Sequence, residues 1–308
     1  MPMLSRVASD IYWMGRYVER AENTARLINV NTHLLMDLPK RMRLGWGPII
    51  DIFGDHQLFN ELYSEADERS VVRFMVANTN NPSSILYSLS FARENARTIR
   101  DIIPREASEQ INQNYLYARD NVNAAITQRK RYDYLRNVIL GSQTLTGMLA
   151  GTMTHDEAYD FLRMGRNLER ADMTTRIIDV RSASLLPETT EDLTPFENIQ
   201  WMSVLKSMTA YQMYRRAMHV QVRRPDVLRF LFKERLFPRS FYHAISEVEV
   251  CINNLPRKEK SLKALYALKE IITKSKPELL SQEELHDFID ELQLGLAEVH
   301  NEISSNYF

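Results

Sequence analysis

Apolar residues recur at helical spacing almost throughout the chain, and proline and capping residues punctuate the runs. The pattern predicts a first long helix over about residues 5–36, ending before Pro39. Shorter helices fit 48–64 and 68–78. Asn81-Pro82 then opens a helix to about residue 102, with proline at the favoured first position. Pro104 breaks the chain, and helices near 105–129 and 131–150 follow. Thr154-His155-Asp156-Glu157 reads as a capping box that launches a second long helix to about residue 184. The polar, proline-bearing segment 185–195 reads as a loop, after which helices fit 196–220, 226–234, 239–254 and 258–275. Ser281-Gln282-Glu283-Glu284 is a further capping box, opening the terminal helix. No alternating Val/Ile/Thr run with hairpin turns interrupts this pattern, so the predicted fold is all-α.

The two long helices carry one sequence twice. Residues 14–30 read MGRYVERAENTARLINV and residues 164–180 read MGRNLERADMTTRIIDV, identical at ten of seventeen positions. A second match, 71–90 with 227–246, pairs Val71/Val227, Arg73/Arg229, Phe74/Phe230, Pro82/Pro238, Ser84/Ser240 and Ser90/Ser246 at an offset of 156. Two colinear matches at nearly one offset imply two diverged halves, about 1–150 and 151–308. Two copies are too few for a solenoid, so the expected architecture is a pseudo-twofold multi-helix bundle forming one domain over 1–308.

At 100° per residue, Met14, Val18, Ala21, Ala25 and Ile28 share one face of the first helix, with Arg16, Glu19, Arg20 and Asn23 opposite. The second copy repeats the set as Arg166, Glu169, Arg170, Asp172 and Arg176. Glu22–Arg26 and Asp172–Arg176 are i,i+4 pairs in the favourable order, which exposed on a helix contribute only ~0.3–0.5 kcal/mol each. Arg16–Arg20 and Arg166–Arg170 place like charges at the same spacing, which is mildly destabilising and calls for a carboxylate partner or a bound anion. A third cluster, Arg93, Arg97 and Arg100 beside Asn95, stacks three cations at i, i+4 and i+7. It has no counterpart in the other half, where Glu249 and Asn253 align with Arg93 and Arg97. Such a cluster favours a phosphate or carboxylate partner, or pairs with acids such as Glu247 and Glu249.

Composition narrows the function classes. The chain has 308 residues, 44% hydrophobic and 26% charged, with 9 Gly and 11 Pro, which suits a helix-rich protein with a sizeable core. A net charge of −1 provides no global field to recruit nucleic acid or an anionic membrane, and the Arg215-Arg216 and Arg223-Arg224 pairs lack basic neighbours. Cys251 is the sole cysteine, set among apolar neighbours as a core residue. No apolar run reaches spanning length and the N-terminus lacks a signal-like core, so a soluble cytoplasmic protein is expected. No metal site is expected: Glu283–His286 is the only Glu-x-x-His, and His155, His219 and His243 read as surface or core histidines. Phosphate-cradling glycine loops and nucleophile elbows are absent from the sequence, and the cofactor is left unassigned. The Phe230–Tyr242 aromatics read as core.

The strings LSRVASDIYWMGRYVERAENTARLINV (4–30), NPSSILYSLSFARENARTIRD (81–101), MGRNLERADMTTRIIDV (164–180) and PRSFYHAI (238–245) resemble the bacterial alpha-E family. One departure is Ala107-Ser108-Glu109, where that family's pattern is expected to carry Trp-Glu. The resemblance implies a cytoplasmic all-helical protein, encoded beside circularly permuted ATP-grasp ligases and transglutaminase-like proteins, with a part in forming or modifying an amide bond. It assigns no catalytic residue. From the residues themselves two readings stand. In one, Arg16, Arg20, Asn23, Arg26, Arg93, Asn95, Arg97, Arg100, Arg166, Arg170 and Arg176 line a groove for an anionic small molecule or peptide, with Glu19 or Glu169 as general base. In the other, the protein is a non-catalytic scaffold and the Arg/Glu stripes form a structural ion-pair lattice.

Overall fold

The structure, a computed structural model, describes residues 3–37, 45–183, 194–218 and 221–308, and these form fifteen α-helices with no strand among them. The first half contains α1 (Ser5–Asp37), α2 (Gly47–Phe53), α3 (His56–Leu62), α4 (Glu68–Ala77), α5 (Ile85–Thr98), α6 (Arg105–Asp120), α7 (Val122–Ile126) and α8 (Gln128–Thr152). The second contains α9 (Glu157–Ala183), α10 (Thr194–Ser207), α11 (Tyr211–Met218), α12 (Arg224–Lys233), α13 (Phe241–Asn254), α14 (Glu259–Lys274) and α15 (Gln282–Tyr307). The two long helices appear where periodicity puts them, and the Ser281/Glu284 capping box is formed in full. The expected loop at 185–195, the break at Pro39 and His219 lie largely or wholly outside the described residues.

Several boundaries differ from the sequence reading, each for a local reason. The helix expected over 48–64 is two, because Gly54 takes a left-handed conformation (φ 73°) and its N–H caps α2. The helix expected over 105–129 stops at Asp120, and the one expected over 196–220 is interrupted by Thr209 at φ 55°. Pro82 is not the first residue of its helix. Ser84 is the cap, accepting from the Tyr87 N–H at 3.1 Å, while Asn78 and Asn81 close the preceding turn onto the N–H groups of Asn80 and Ser83. Likewise α9 is capped by Asp156, whose Oδ1 accepts from the Ala158 and Tyr159 N–H groups, and not by Thr154.

α1 and α9 cross at the centre with their backbones touching. A Cβ on Gly15 would lie 2.5 Å from the Leu162 carbonyl oxygen, and one on Gly165 would lie 2.0 Å from that of Tyr12. Only glycine permits this approach, and it brings the charged faces of the two helices together. One apolar cluster joins Ile11, Met14 and Leu27 of α1 to Phe161, Met164 and Leu168 of α9 and to the core faces of α12, α13 and α15. A second gathers Ala21, Ala25 and Ile28 of α1 with α2, α4, α5 and Tyr134 and Leu135 of α8. Each fully buried large side chain of this kind contributes roughly 1.5–3 kcal/mol, so both faces of α1 are anchored. Among the described residues no helix is long and apolar enough to cross a membrane.

Candidate functional site

The repeated motif builds a reciprocal ion-pair network between α1 and α9. Glu169 accepts from Arg16 Nε at 2.8 Å and from Arg20 Nε and Nη2 at 2.5 and 2.9 Å. In return Glu19 accepts from Arg170 Nε and Nη2 at 3.1 and 2.8 Å. Arg239, from the turn before α13, adds a third cation: it donates to Glu19 at 2.9 Å, to Asn23 Oδ1 at 2.8 Å and to Glu22 at 2.7 Å. Arg26 also holds Glu22, through Nε at 2.9 Å and Nη2 at 2.7 Å, and donates to Thr209. Three of the four like-charged arginines at i,i+4, Arg16, Arg20 and Arg170, therefore have their carboxylate, supplied by the opposite helix.

Burial sets the chemistry of this network. Glu19 and Glu169 are each 2% exposed, and every carboxylate oxygen receives at least one charged donor. Burial alone would raise a carboxyl pKa. Here the facing guanidiniums win, holding Glu169 down at about 2 and Glu19 well below the carboxylate range. Groups so saturated are poor proton acceptors at neutral pH, and both suit a fixed counter-charge better than a general base. Glu22–Arg26 is no exposed helix pair: both residues are buried, because Arg239 and Thr209 close over them. Asp172–Arg176 is the half-exposed pair that the spacing describes, at 2.8 Å.

The surrounding turns match pairwise. Thr24 donates to the Ser83 carbonyl at 3.0 Å and Thr174 to the Arg239 carbonyl at 3.2 Å. Ser84 and Ser240 both cap the following helix, accepting from Tyr87 and His243 at 3.1 Å each. Arg239, missing from the predicted set, is thus the residue opposite Ser83. The sequence signal was there: a lone arginine replaces serine inside the otherwise matched Pro82/Pro238 turn.

Two clefts open around this frame. One, about 520 Å³, lies between α9 and α15, where Arg16, Asp172 and Arg176 face Asp290, Gln293 and His300. His300 Nδ1 sits 2.8 Å from the Tyr12 hydroxyl, and burial, helped by the Arg16 charge, lowers its pKa to about 4, so the ring is neutral. The other, about 610 Å³, is walled by α5 and α6: Arg93, Arg97 and Arg100 line it with Glu94, Ser108 and Asn112. Arg93 does not pair with Glu247 or Glu249, which hold Arg163 and Lys269. It donates to Asn112 at 2.7 Å and stacks over Tyr115. Arg97 and Arg100 are 67% and 78% exposed, with Glu94 3.2 Å from Arg97 and Asp101 3.9 Å from Arg100. Asn95 is half-buried beside them, its carbonyl accepting from Thr98. Arg166 is the remaining predicted residue and joins no ion pair among the described residues. No cluster of three or more metal-ligating side chains occurs among the described residues.

The Alpha-E family model, described as a predicted alpha-helical domain with a conserved ER motif, matches residues 3–308. Uncharacterized proteins of Mycobacterium bovis and of two strains of Mycobacterium tuberculosis are each 22% identical over 324 aligned residues, which cover 96% of this chain. The chain spans 35% of the length of these curated relatives. No solved structure matches it.

Proposed function

The chain belongs to the Alpha-E family, and from that premise we propose that it is the helical partner of an ATP-grasp-type ligase, holding the anionic end of a small-molecule or peptide substrate for amide-bond formation or modification. A transglutaminase-like protein is a second partner in this cytoplasmic reading. The observation that carries it is the α5–α6 cleft, where three guanidiniums meet one lining carboxylate, Glu94. Arg93 is preset by Asn112 and Tyr115, while Arg97 and Arg100 keep donors turned to solvent. The ER network is the frame: it supports two pseudo-twofold halves, 1–150 and 151–308, in one domain, as the matched Gly15/Gly165, Thr24/Thr174 and Ser84/Ser240 contacts suggest. Association with a second unit fits the relatives, in which the matching stretch is 35% of a longer chain.

Calorimetry with inorganic phosphate and with a glutamate-rich peptide tests the site. One charge-assisted hydrogen bond contributes about 1.5–3 kcal/mol, so Arg97→Ala/Arg100→Ala should weaken binding at least ~100-fold and leave the melting temperature unchanged. Equal binding by the variant, or none by the parent, overturns the assignment. Burial of Glu19 and Glu169 favours a second reading, a purely structural scaffold for the ligase. Arg97→Ala/Arg100→Ala separates the two: loss of pathway activity at an unchanged melting temperature supports substrate binding at the cleft, and unchanged pathway activity supports the scaffold.

A further inference from the structure

Arg163, Arg166 and Arg170 stack at i, i+3 and i+7 on α9. The outer two are neutralised, Arg163 by Glu247 and Arg170 by Glu19. The middle one is not: Arg166 Nε is sealed from solvent without a hydrogen-bond partner. Glu19 attracts it, but both oxygens of that carboxylate are taken by Arg170 and Arg239. Its counterpart Arg16 is served twice, by Glu169 at 2.8 Å and by the face of Trp13 at 5.0 Å. In the second copy the position of Trp13 is filled by Arg163, a further cation. Across this network six arginines (16, 20, 26, 166, 170 and 239) surround three buried carboxylates, Glu19, Glu22 and Glu169. An arginine cannot discharge by losing its proton, and although Arg166 is partly exposed as a whole, its sealed Nε–H is a donor left without a partner.

Beside Arg166 lies a gap of about 20 Å³ walled by Met14, Gly15 and Val18 of α1 and by Leu145, Thr146 and Leu149 of α8. That is room for one water-sized sphere, too little for phosphate, sulfate or acetate. We propose that this gap is a halide site, in which a chloride ion sits against Arg166 Nε, with the Thr146 hydroxyl as second donor, and completes the charge balance of the α1–α9 crossing. It is separate from the α5–α6 cleft and stands or falls independently of the function proposed above.

Thermal unfolding of the full chain is followed while sodium chloride replaces sodium gluconate at constant ionic strength. A ligand that binds the folded state raises the melting temperature with its concentration, and chloride and bromide should do so here while acetate does not. Arg166→Met should abolish the halide effect, and Arg97→Ala/Arg100→Ala should leave it intact. A halide-independent melting temperature, or an effect that persists in Arg166→Met, overturns the site. Should Arg166→Met not fold, crystals of the parent grown in bromide decide: an anomalous peak within hydrogen-bond distance of Arg166 Nε is expected, and its absence refutes the proposal.

Discussion

Replacing Glu169 by glutamine removes one charge and no volume, and leaves Arg16 and Arg20, one turn apart on α1, without their carboxylate at the seam. Breaking a buried pair by neutralising one partner costs about 3–5 kcal/mol, because the surviving charge stays desolvated. Glu169 is 2% exposed and serves two guanidiniums through three hydrogen bonds, so at least the middle of that range applies. Unfolding entropy of about 2.1 cal/mol/K per residue over 308 residues is roughly 0.65 kcal/mol/K, so a loss of about 4 kcal/mol lowers the melting temperature by about 6 °C. Differential scanning calorimetry of the parent and Glu169→Gln measures this, with Glu94→Gln, at the exposed surface pair with Arg97, as the control that moves by about 1 °C or less. The same group sets an acid limit. Its folded pKa of about 2 lies below its usual 4.5, so its contribution is present above pH 4.5 and is lost as pH falls toward 2. The parent should therefore lose more stability over that window than Glu169→Gln does. A fall in melting temperature below about 1.5 °C, equivalent to about 1 kcal/mol, or identical acid profiles, would refute the view that the ER pairs hold the seam.

Gly165→Ala drives a Cβ to 2.0 Å from the Tyr12 carbonyl and should cost about 1–3 kcal/mol in chemical denaturation, whereas Gly147→Ala, with nothing within 4 Å, should be neutral or slightly stabilising. His300 should stay neutral until pH nears 4, because burial disfavours its charged form. Its stabilising effect is complete above about 6.5 and lost as pH falls toward 4, and an NMR titration midpoint near 6.5 would contradict this. Burial pushes the Cys251 thiol up to about 12, so a thiol reagent at pH 8 should label it only after denaturant is added, and rapid labelling of the native protein would show an opening at α13.

The helical nature of the chain was legible because apolar spacing survives in nearly every element, and the long helices stand out by their length. Caps were less so. Pro82 competes as a start signal with Ser84, two residues on, and the choice depends on Asn78 and Asn81 folding back onto the turn, which no single position announces. The charged stripe shows a deeper limit. Periodicity separates apolar from polar positions and so assigns Glu19 and Asn23 to an outer face, yet α1 is covered on both sides and its polar face meets the polar face of α9. Only the second copy of the motif hinted at this, through like charges kept at i,i+4. Arg239 lay outside the repeated helix and was invisible to that comparison, while helix geometry accounts for Arg93 and Arg97 alone: α5 ends at Thr98, short of the expected residue 102, and Arg100 reaches the same cleft from the turn that follows.

The α1–α9 crossing also sets a clock on synthesis. Arg16 meets Glu169 across 153 residues, so at about 5–20 residues per second α1 leaves the ribosome roughly 8–30 s before its partner exists. During that interval its glycine notch is empty, its arginines and glutamates stay hydrated, and its apolar face has only the neighbouring helices of the first half to rest on. The α2–α8 cluster can therefore assemble early around Ala21, Ala25 and Ile28, whereas the seam cannot close until α9 docks and the turn before α13 delivers Arg239.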